Sequence, residues 1–244
     1  MSDPELNSNP SNSQPSPPAW PPPPQTNDYQ PVPASLLPAF LPIASIARWT
    51  LGLLWVGLVL NVAGVIVGLI AIKYGNTMLF LGILTALSAL ELLVLLACCV
   101  TFLIWVYRTY GNLRAFGATG LSSSPGWAVG YYFIPILWFY KPYQLMNETW
   151  KASEPGLSGS PASTDWRKVR SSAVVVGWWI GWLAWNLVSG VVGASAIQQP
   201  TASVDLEGQV ISDASFILSS LFAILLVPNL TKRQEEAARR LAAS

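Results

Sequence analysis

The chain of 244 residues has no histidine, only two cysteines, and charged residues at only 10% of its positions. Without histidine, His-ligated metal sites, Ser-His or Cys-His catalytic pairs and imidazole pH switches are excluded. Cys98 and Cys99 are adjacent in an apolar run, which excludes a loop-closing disulfide framework. The net charge of +1 gives no indication of nucleic-acid binding, which would need a clustered basic surface. A soluble domain carries about 25% charged residues, so an ordinary soluble globular protein is excluded.

Long apolar runs are abundant, and 52% of the residues are hydrophobic. The run between Arg48 and Lys73 has 24 residues without a charge. As a helix it would measure about 36 Å, which exceeds the roughly 30 Å core of a bilayer. Three further runs have the same character. We therefore predict an all-α membrane protein whose membrane domain, 45–230, contains four transmembrane helices at about 49–72, 78–107, 173–197 and 213–230.

The basic residues are distributed asymmetrically over these four spans. Twelve lie on the side that holds both termini and the loop 108–172, whereas Lys73 lies alone on the other side. If 125–140 were a fifth span, the distribution would be ten against three. Because Lys and Arg are enriched in cytoplasmic loops, we expect four spans, a multi-pass protein of the plasma membrane, and both termini in the cytoplasm.

The segment 125–140 is apolar but short for a span, and Pro135 interrupts it. Ser124 is suited to cap a short helix that has the following proline in its first turn. Pro142 is suited to open a second short helix. We expect residues 125–152 to form a helical hairpin on the cytoplasmic side. The sequence leaves open whether this hairpin is re-entrant or interfacial.

The two ends of the chain differ from the membrane domain in composition. Residues 1–44 contain thirteen of the twenty prolines, which predicts a disordered proline-rich cytoplasmic tail. The plainer interpretation is a tether, and the alternative is a docking segment for a cytoplasmic protein partner through PxxP units such as 15–18. Residues 231–244 contain four basic residues and many helix formers, and we expect a basic helical tail that continues the fourth span.

A series of short sequence words occurs in order within 105–153: W-x-x-R, N-L-R, S-P-G-W-A-V-G, F-I-P, K-P-Y-Q and W-x-A-S. The series resembles the bacterial membrane family called domain of unknown function 4328. The resemblance implies a multi-spanning protein of a bacterial cell membrane and brings no known reaction, cofactor or ligand. The aromatic run at 136–140 departs from the more polar connection expected there. These words contain the candidate functional residues Arg108, Asn112, Arg114, Trp127, Pro135, Lys141, Pro142, Tyr143 and Gln144.

Glu91 is the acidic residue inside a predicted span, close to its middle. A carboxylate is costly in hydrocarbon, so we expect it to face protein or water. Asn61 and Asn186, in the first and third spans, are candidate hydrogen-bond partners. One interpretation is a proton or cation site. The other, which we favour at this point, is a polar clasp between helices.

Four polar residues surround the predicted hairpin: Arg108 and Arg114 follow the second span, and Lys141 and Gln144 follow the proline-broken segment. If the segment dips into the membrane and returns, these side chains would converge near the lipid headgroups and hold phosphates or an anionic ligand. The alternative is ordinary anchoring by snorkelling basic side chains.

The third span contains a tryptophan stripe and the glycine pair Gly177 and Gly181, and the first span contains the pair Gly64 and Gly68. Such pairs let another helix approach closely. Because apolar stripes at helical spacing mark buried faces, we interpret the tryptophans as packing residues rather than as a ligand pocket.

The sequence contains no phosphate-binding loop, metal-ligand cluster or nucleophile elbow, so we expect neither an enzyme nor a cofactor. The leading hypothesis is a non-enzymatic membrane component that binds partners or lipids through 108–153 and its tails. The alternative is a small permease or channel subunit that acts as an oligomer around Glu91, because irregular backbone at membrane depth usually lines a cavity.

Overall fold

The computed structural model describes residues 38–75, 77–157, 166–198 and 206–243, except for the side chains of 195–198. The described residues form six α-helices and no strand, and four of the helices are long and apolar enough to cross a membrane. The prediction of an all-α protein with four candidate spans is thereby confirmed. Most of the predicted proline-rich tail lies outside the described residues. The helices are α1 (Ala44–Tyr74), α2 (Met78–Ala115), α3 (Pro125–Gly130), α4 (Lys141–Ala152), α5 (Ala173–Gln198) and α6 (Leu206–Ala243).

The four long helices contain the predicted spans and extend beyond them. α6 begins at Leu206, about two turns before the predicted boundary. Asp213, which the charge pattern placed at the edge of the fourth span, therefore lies inside the helix. α6 then continues without a break to Ala243. Its 38 residues measure about 57 Å, so the helix is longer than a bilayer core is thick.

α1 runs antiparallel to α2 and α6, and α5 runs antiparallel to α6, so the bundle has two distinct ends. We call the end at which α1 and α5 begin and α2 and α6 finish the termini end, and the opposite end the turn end. Trp105 of α2 donates its Nε1–H to Thr231 of α6 at 3.0 Å near the termini end. Towards the turn end, Gly68 of α1 lies beside Val210 of α6. α6 thus contacts its neighbours at both ends.

Glycines allow α6 to pack closely between α1 and α5. A Cβ atom added at Gly181 of α5 would lie 3.0 Å from the Cα atom of Ser219, and one added at Gly68 of α1 would lie 3.0 Å from a methyl group of Val210. Each glycine pair noted in the sequence therefore has a member at a close contact with α6, as expected for small residues between membrane helices.

Pro228 lies inside α6. Proline has no backbone N–H, so the carbonyl oxygen of Ile224, one turn earlier, lacks its usual helical donor. Asn229 donates its side-chain Nδ2–H to the carbonyl oxygen of Leu225 at 2.8 Å. The regular backbone hydrogen bonding of α6 is therefore interrupted at this point.

The best-packed part of the described structure lies at the termini end. Large side chains that are almost fully buried there include Trp105, Tyr110, Leu113 and Phe116 of α2 and its C-terminal cap. In contrast, α2 exposes a row of large apolar side chains over much of its remaining length. A bilayer would cover such a row, whereas water would not.

The segment 125–140 is divided as its prolines predict. Ser124 caps α3 by accepting a hydrogen bond from the backbone N–H of Trp127 at 3.4 Å. After Pro135, Ile136 has a φ of 73°, which is rare for a β-branched residue. The 3-10 turn Leu137–Phe139 then leads directly into α4. The chain therefore reverses direction between two short helices instead of crossing the bundle.

Candidate functional site

Two acidic side chains approach each other inside the bundle: Glu91 of α2 and Asp213 of α6. We call them the acid pair. Both lie against Gly64 of α1, where an added Cβ atom would lie 3.3 Å from Asp213 Oδ2 and 3.7 Å from Glu91 Oε1. The two oxygens are therefore at most about 7 Å apart, the sum of these distances. Gly64 itself contributes no side chain to the space beside the two carboxyl groups.

The acid pair has few hydrogen-bond donors and no basic partner within the described ranges. Gln209 donates its Nε2–H to Asp213 Oδ1 at 2.8 Å. No other side-chain or backbone donor among the described residues bonds either carboxyl group. The ion pairs found among the described residues, Arg233 with Glu154 and Arg240 with Glu236, lie at the termini end of the bundle. The pair thus keeps unused acceptor sites.

A cavity of about 460 Å³ reaches the acid pair from the turn end. Its walls are one face of α2 from Leu81 to Leu92, the start of α6 from Leu206 to Asp213, and Gly64 of α1. Leu81 and Leu206 lie near the turn end, at the starts of α2 and α6. The stretch of helix from Leu81 to Glu91 is about 15 Å long. The cavity is therefore a vestibule that ends at the two carboxyl groups.

The cavity does not continue along α6 towards the termini end. None of the described residues of α6 beyond Asp213 lines it. Buried Ser219 and Ser220 follow Asp213 on α6, and buried Ala223, Leu226, Val227 and Leu230 come after them. The cavity therefore extends from the acid pair towards the turn end only.

The amide side chains considered as partners of Glu91 bond elsewhere. Asn61 donates its Nδ2–H to the carbonyl oxygen of Gly57 at 2.9 Å, and Asn186 donates to that of Trp182 at 2.7 Å. Each bond lies within one helix. The sequence interpretation missed Asp213 because span boundaries were drawn at charged residues. The signal that was available is the spacing of Gln209 and Asp213, which places them on one face of a helix.

A second polar cluster, at the termini end, joins four parts of the chain. Asn112 of α2 accepts a hydrogen bond from the backbone N–H of Leu41 at 2.8 Å and donates to Leu41 O at 3.0 Å and Gln234 Oε1 at 3.2 Å. Gln234 of α6 donates to Thr109 O at 2.8 Å and to Ser153 Oγ at 2.9 Å. We call these five residues the amide hub. The hub therefore ties the segment before α1 to α2 and α6 through Asn112, and ties α6 to the C-terminal cap of α4 through Gln234.

A third acidic side chain, Glu148 of α4, is buried near the amide hub and is well supplied with donors. It accepts hydrogen bonds from the backbone N–H of Ser122 at 2.8 Å, from the Ser122 hydroxyl, and from the Tyr110 hydroxyl at 3.2 Å. The Tyr110 hydroxyl in turn accepts from the backbone N–H of Ser123 at 3.1 Å. Glu148 thus holds the loop before α3 against α2 and α4.

The segment 125–140 reaches into the bundle between α2 and α5. The Tyr132 ring meets Phe102 of α2 edge-on at 6.3 Å between centroids, and the Trp138 ring meets Trp182 of α5 at 5.1 Å. The apolar part of α2 ends at Arg108, and Phe102 lies about 9 Å along the helix inside that part. The Tyr132 hydroxyl is buried with no hydrogen-bond partner among the described residues, and burial raises the pKa of this phenol.

The four polar residues considered for headgroup binding have separate surroundings. Arg108 donates from Nη1 to the carbonyl oxygen of Pro42 at 3.1 Å. Lys141 places its Nζ 5.6 Å from the ring centroids of both Tyr131 and Tyr140. The remaining two, Arg114 and Gln144, are exposed. No contact within the described part of the chain brings the four together.

The other candidate residues pack on neighbouring rings or on the protein interior. Trp127 stacks on Tyr131 with centroids 5.5 Å apart, and Tyr143 stacks on Trp179 at 6.4 Å. Pro142 is buried in the first turn of α4, and Pro135 is exposed at the point where the segment turns. These residues shape and dock the hairpin.

Comparison with known proteins identifies a family. The sequence model described as Domain of unknown function (DUF4328) matches residues 70–232. No curated protein and no solved structure matches the chain. The match begins near the end of α1 and includes α2 to α5 and the apolar part of α6, and with them both members of the acid pair.

Proposed function

We propose, from the premise that the chain belongs to the DUF4328 family, that it is a small permease or channel subunit built around Glu91 and Asp213. The family description assigns no reaction, so the proposal rests on the geometry of the acid pair. The protein has four candidate membrane spans, and Glu91 and Asp213 lie within two of them. Intramembrane carboxyl groups are rare and commonly mark pathways for ions or protons.

The expected ligand is a proton or a small cation. Two carboxylates within about 7 Å repel each other when both are charged, and a surrounding of low dielectric constant strengthens the repulsion. A proton or cation between them removes this cost. The unused acceptor sites of the pair and the absence of a side chain at Gly64 provide the room for it.

The observation that carries the proposal is the one-sided cavity. It leads from the turn end to the acid pair, and none of the described residues of α6 between Asp213 and the termini end lines it. A site that is reached from one end and closed at the other is what alternating access requires.

Four spans are few for a conduit, and we propose that the protein acts as an oligomer. The vestibule opens between α2 and α6, and Leu92 on its wall belongs to the exposed apolar row of α2. A second copy packed against this face would complete the wall of the cavity. Chemical crosslinking in membranes would detect such an oligomer.

The test is proton flux into vesicles that contain the purified protein and an enclosed pH-sensitive dye, after a pH step with Na⁺, with K⁺ or with neither. We expect Glu91→Gln and Asp213→Asn each to lower the flux at least about tenfold, because each removes half of the site. The matched control is Glu207→Gln, an exposed acid on the same helix as Asp213. Absence of flux through the unaltered protein, or equal flux through folded Glu91→Gln, would contradict the proposal.

A second candidate function is binding of a protein partner or of lipids through 108–153 and the tails. The observation that favours it is the depth of the hairpin: Tyr132 and Trp138 contact the spans while several apolar neighbours stay exposed. We propose on this basis that the hairpin is re-entrant from the cytoplasmic side. Crosslinking in native membranes, with and without residues 1–42, tests for a partner. A specific partner lost with the tail would support an adaptor role.

The orientation is part of both candidate functions. We propose that the termini end faces the cytoplasm of a bacterial cell. Cysteines at Thr119, an exposed position in the loop after α2, and at Glu207, introduced after replacement of Cys98 and Cys99, report sidedness to an impermeant thiol reagent. Ser160, the natural site for a probe in the long loop, lies outside the described residues. Labelling of both positions from the same side would contradict the proposed topology.

A further inference from the structure

Three apolar side chains of the hairpin are strongly exposed although the hairpin contacts the spans at depth. Trp127 is 55% exposed, Phe133 70% and Ile136 75%. Their neighbours Tyr132 and Trp138 pack on α2 and α5, which places the segment inside the apolar layer that the spans define. Exposed apolar side chains at this level contact acyl chains and not water.

A basic side chain follows directly after these exposed residues. Lys141 lies over the rings of Tyr131 and Tyr140, and no carboxylate among the described residues forms an ion pair with it. An ammonium group held against aromatic faces remains available to an anion on its open side. Lys141 lies at the start of α4, where the hairpin returns, and a lysine on an apolar surface extends its long side chain towards the headgroups.

We propose that the hairpin binds an anionic phospholipid of the leaflet at the termini end, with Lys141 holding the phosphate and Phe133 and Ile136 contacting the acyl chains. The inference deepens the second candidate function and rests on it, because it needs the hairpin to enter the bilayer. A free phosphate ion would use the lysine but would leave the exposed apolar side chains without a partner. A phospholipid uses both.

The experiment measures which lipids stay bound to the full-length protein when it is released from detergent into a mass spectrometer. The probes are phosphatidylglycerol and phosphatidylcholine of identical acyl chains. We expect Lys141→Gln to lower phosphatidylglycerol retention about fivefold, the effect of one basic residue near a membrane surface, and to leave phosphatidylcholine retention unchanged. Lys141→Arg should restore most of the binding.

The matched control is Lys73→Gln. Lys73 also lies over a tyrosine ring, that of Tyr74 at 5.0 Å, but at the turn end of the bundle. Its replacement should leave phosphatidylglycerol retention unchanged. Equal loss in both variants, or no loss in Lys141→Gln, would overturn the proposal. Displacement of phosphatidylglycerol by an equal concentration of inorganic phosphate would also overturn it, because the ligand would then be the free anion.

A second measurement separates failure of this inference from failure of the function beneath it. A spin label at position 133, in a variant without Cys98 and Cys99, reports its depth from its accessibility to oxygen and to a water-soluble nickel complex. A deep label together with no preference for phosphatidylglycerol would overturn the lysine site and leave the re-entrant hairpin intact. A label exposed to water would overturn both.

Discussion

The acid pair and the amide hub are two polar clusters that α6 connects, and they differ in how completely their hydrogen-bonding groups are used. In the amide hub, all four side-chain N–H groups of Asn112 and Gln234 donate to acceptors in other parts of the chain. In the acid pair, Gln209 is the donor found among the described residues, and it reaches Asp213 alone.

This difference separates a structural cluster from a binding cluster. Asp213 is buried, as Asn112 and Gln234 are, so burial of a polar side chain does not by itself distinguish the two clusters. A saturated network of neutral amides has no site left for a ligand, and its loss leaves buried groups unpaired. Two carboxyl groups with few donors are less stable by themselves than with a cation or proton between them. Four substitutions test the contrast, beginning with the one for which we expect the largest effect on stability.

Asn112→Ala should destabilise the protein by about 2–4 kcal/mol, because it removes three hydrogen bonds and leaves buried partners unsatisfied. Thermal unfolding in detergent measures the effect as a lower Tm. Asn229→Ala is the control, since that exposed amide bonds a carbonyl of its own helix. Equal Tm values for the two variants would contradict a structural role of the amide hub.

Glu148→Gln should destabilise by about 1–3 kcal/mol. Its carboxylate accepts from the backbone N–H and hydroxyl of Ser122 and from the Tyr110 hydroxyl, and an amide NH₂ group would face one of these donors instead. The measurement is again thermal unfolding, with Glu207→Gln as the exposed control. An unchanged Tm would mean that the charge of Glu148 does not stabilise the loop.

Glu91→Gln should change the free energy of unfolding in the opposite direction and stabilise the protein. At alkaline pH, where both members of the acid pair ionise, removing one charge relieves repulsion of about 2 kcal/mol or more, the value that Coulomb's law gives for the largest separation of about 7 Å and an effective dielectric constant near 20. We expect Tm to rise at alkaline pH and to change little in acid. A fall in Tm comparable to that of Glu148→Gln would show that Glu91 is a structural clasp after all.

Gly64→Ala should change stability least, by less than about 1 kcal/mol. The gain in helix propensity opposes a tight contact, since the new methyl group would lie 3.3 Å from Asp213 Oδ2. The proton flux, in contrast, should fall because the methyl group occupies the space between the carboxyl groups. Gly52→Ala, with no atom near its added Cβ, is the matched control. Equal fluxes for the two variants would place the ligand elsewhere.

Features set by local sequence were predictable. Hydropathy over some twenty residues is enough to find a span, because the thickness of the bilayer fixes the length of the helix. The interruption of 125–140 followed from Ser124 and Pro135, whose effects on the backbone act within one turn. The all-α fold and the number of candidate spans therefore needed no knowledge of tertiary contacts.

Features set by contacts distant in sequence were not predictable. Nothing in the local sequence pairs Asn112 with Leu41 or Gln234, which are 71 and 122 positions away, so the sequence indicated Asn112 as a candidate functional residue without predicting these contacts. Asp213 was treated as the limit of a span because a charge normally ends one. Its place beside Glu91 depends on how α6 packs against α1.

Pro228 gives α6 a mechanical property that its continuous appearance hides. The missing backbone donor leaves the helix least resistant to bending between the acid pair and the amide hub. The hydrogen bonds of Gln234 hold the part of α6 at the termini end, while Asp213 lies in the part nearer the turn end. A small tilt about Pro228 would change the distance between Asp213 and Glu91 while the hydrogen bonds of Gln234 stayed in place. The position at which α6 bends most easily is therefore set by a single missing backbone hydrogen bond.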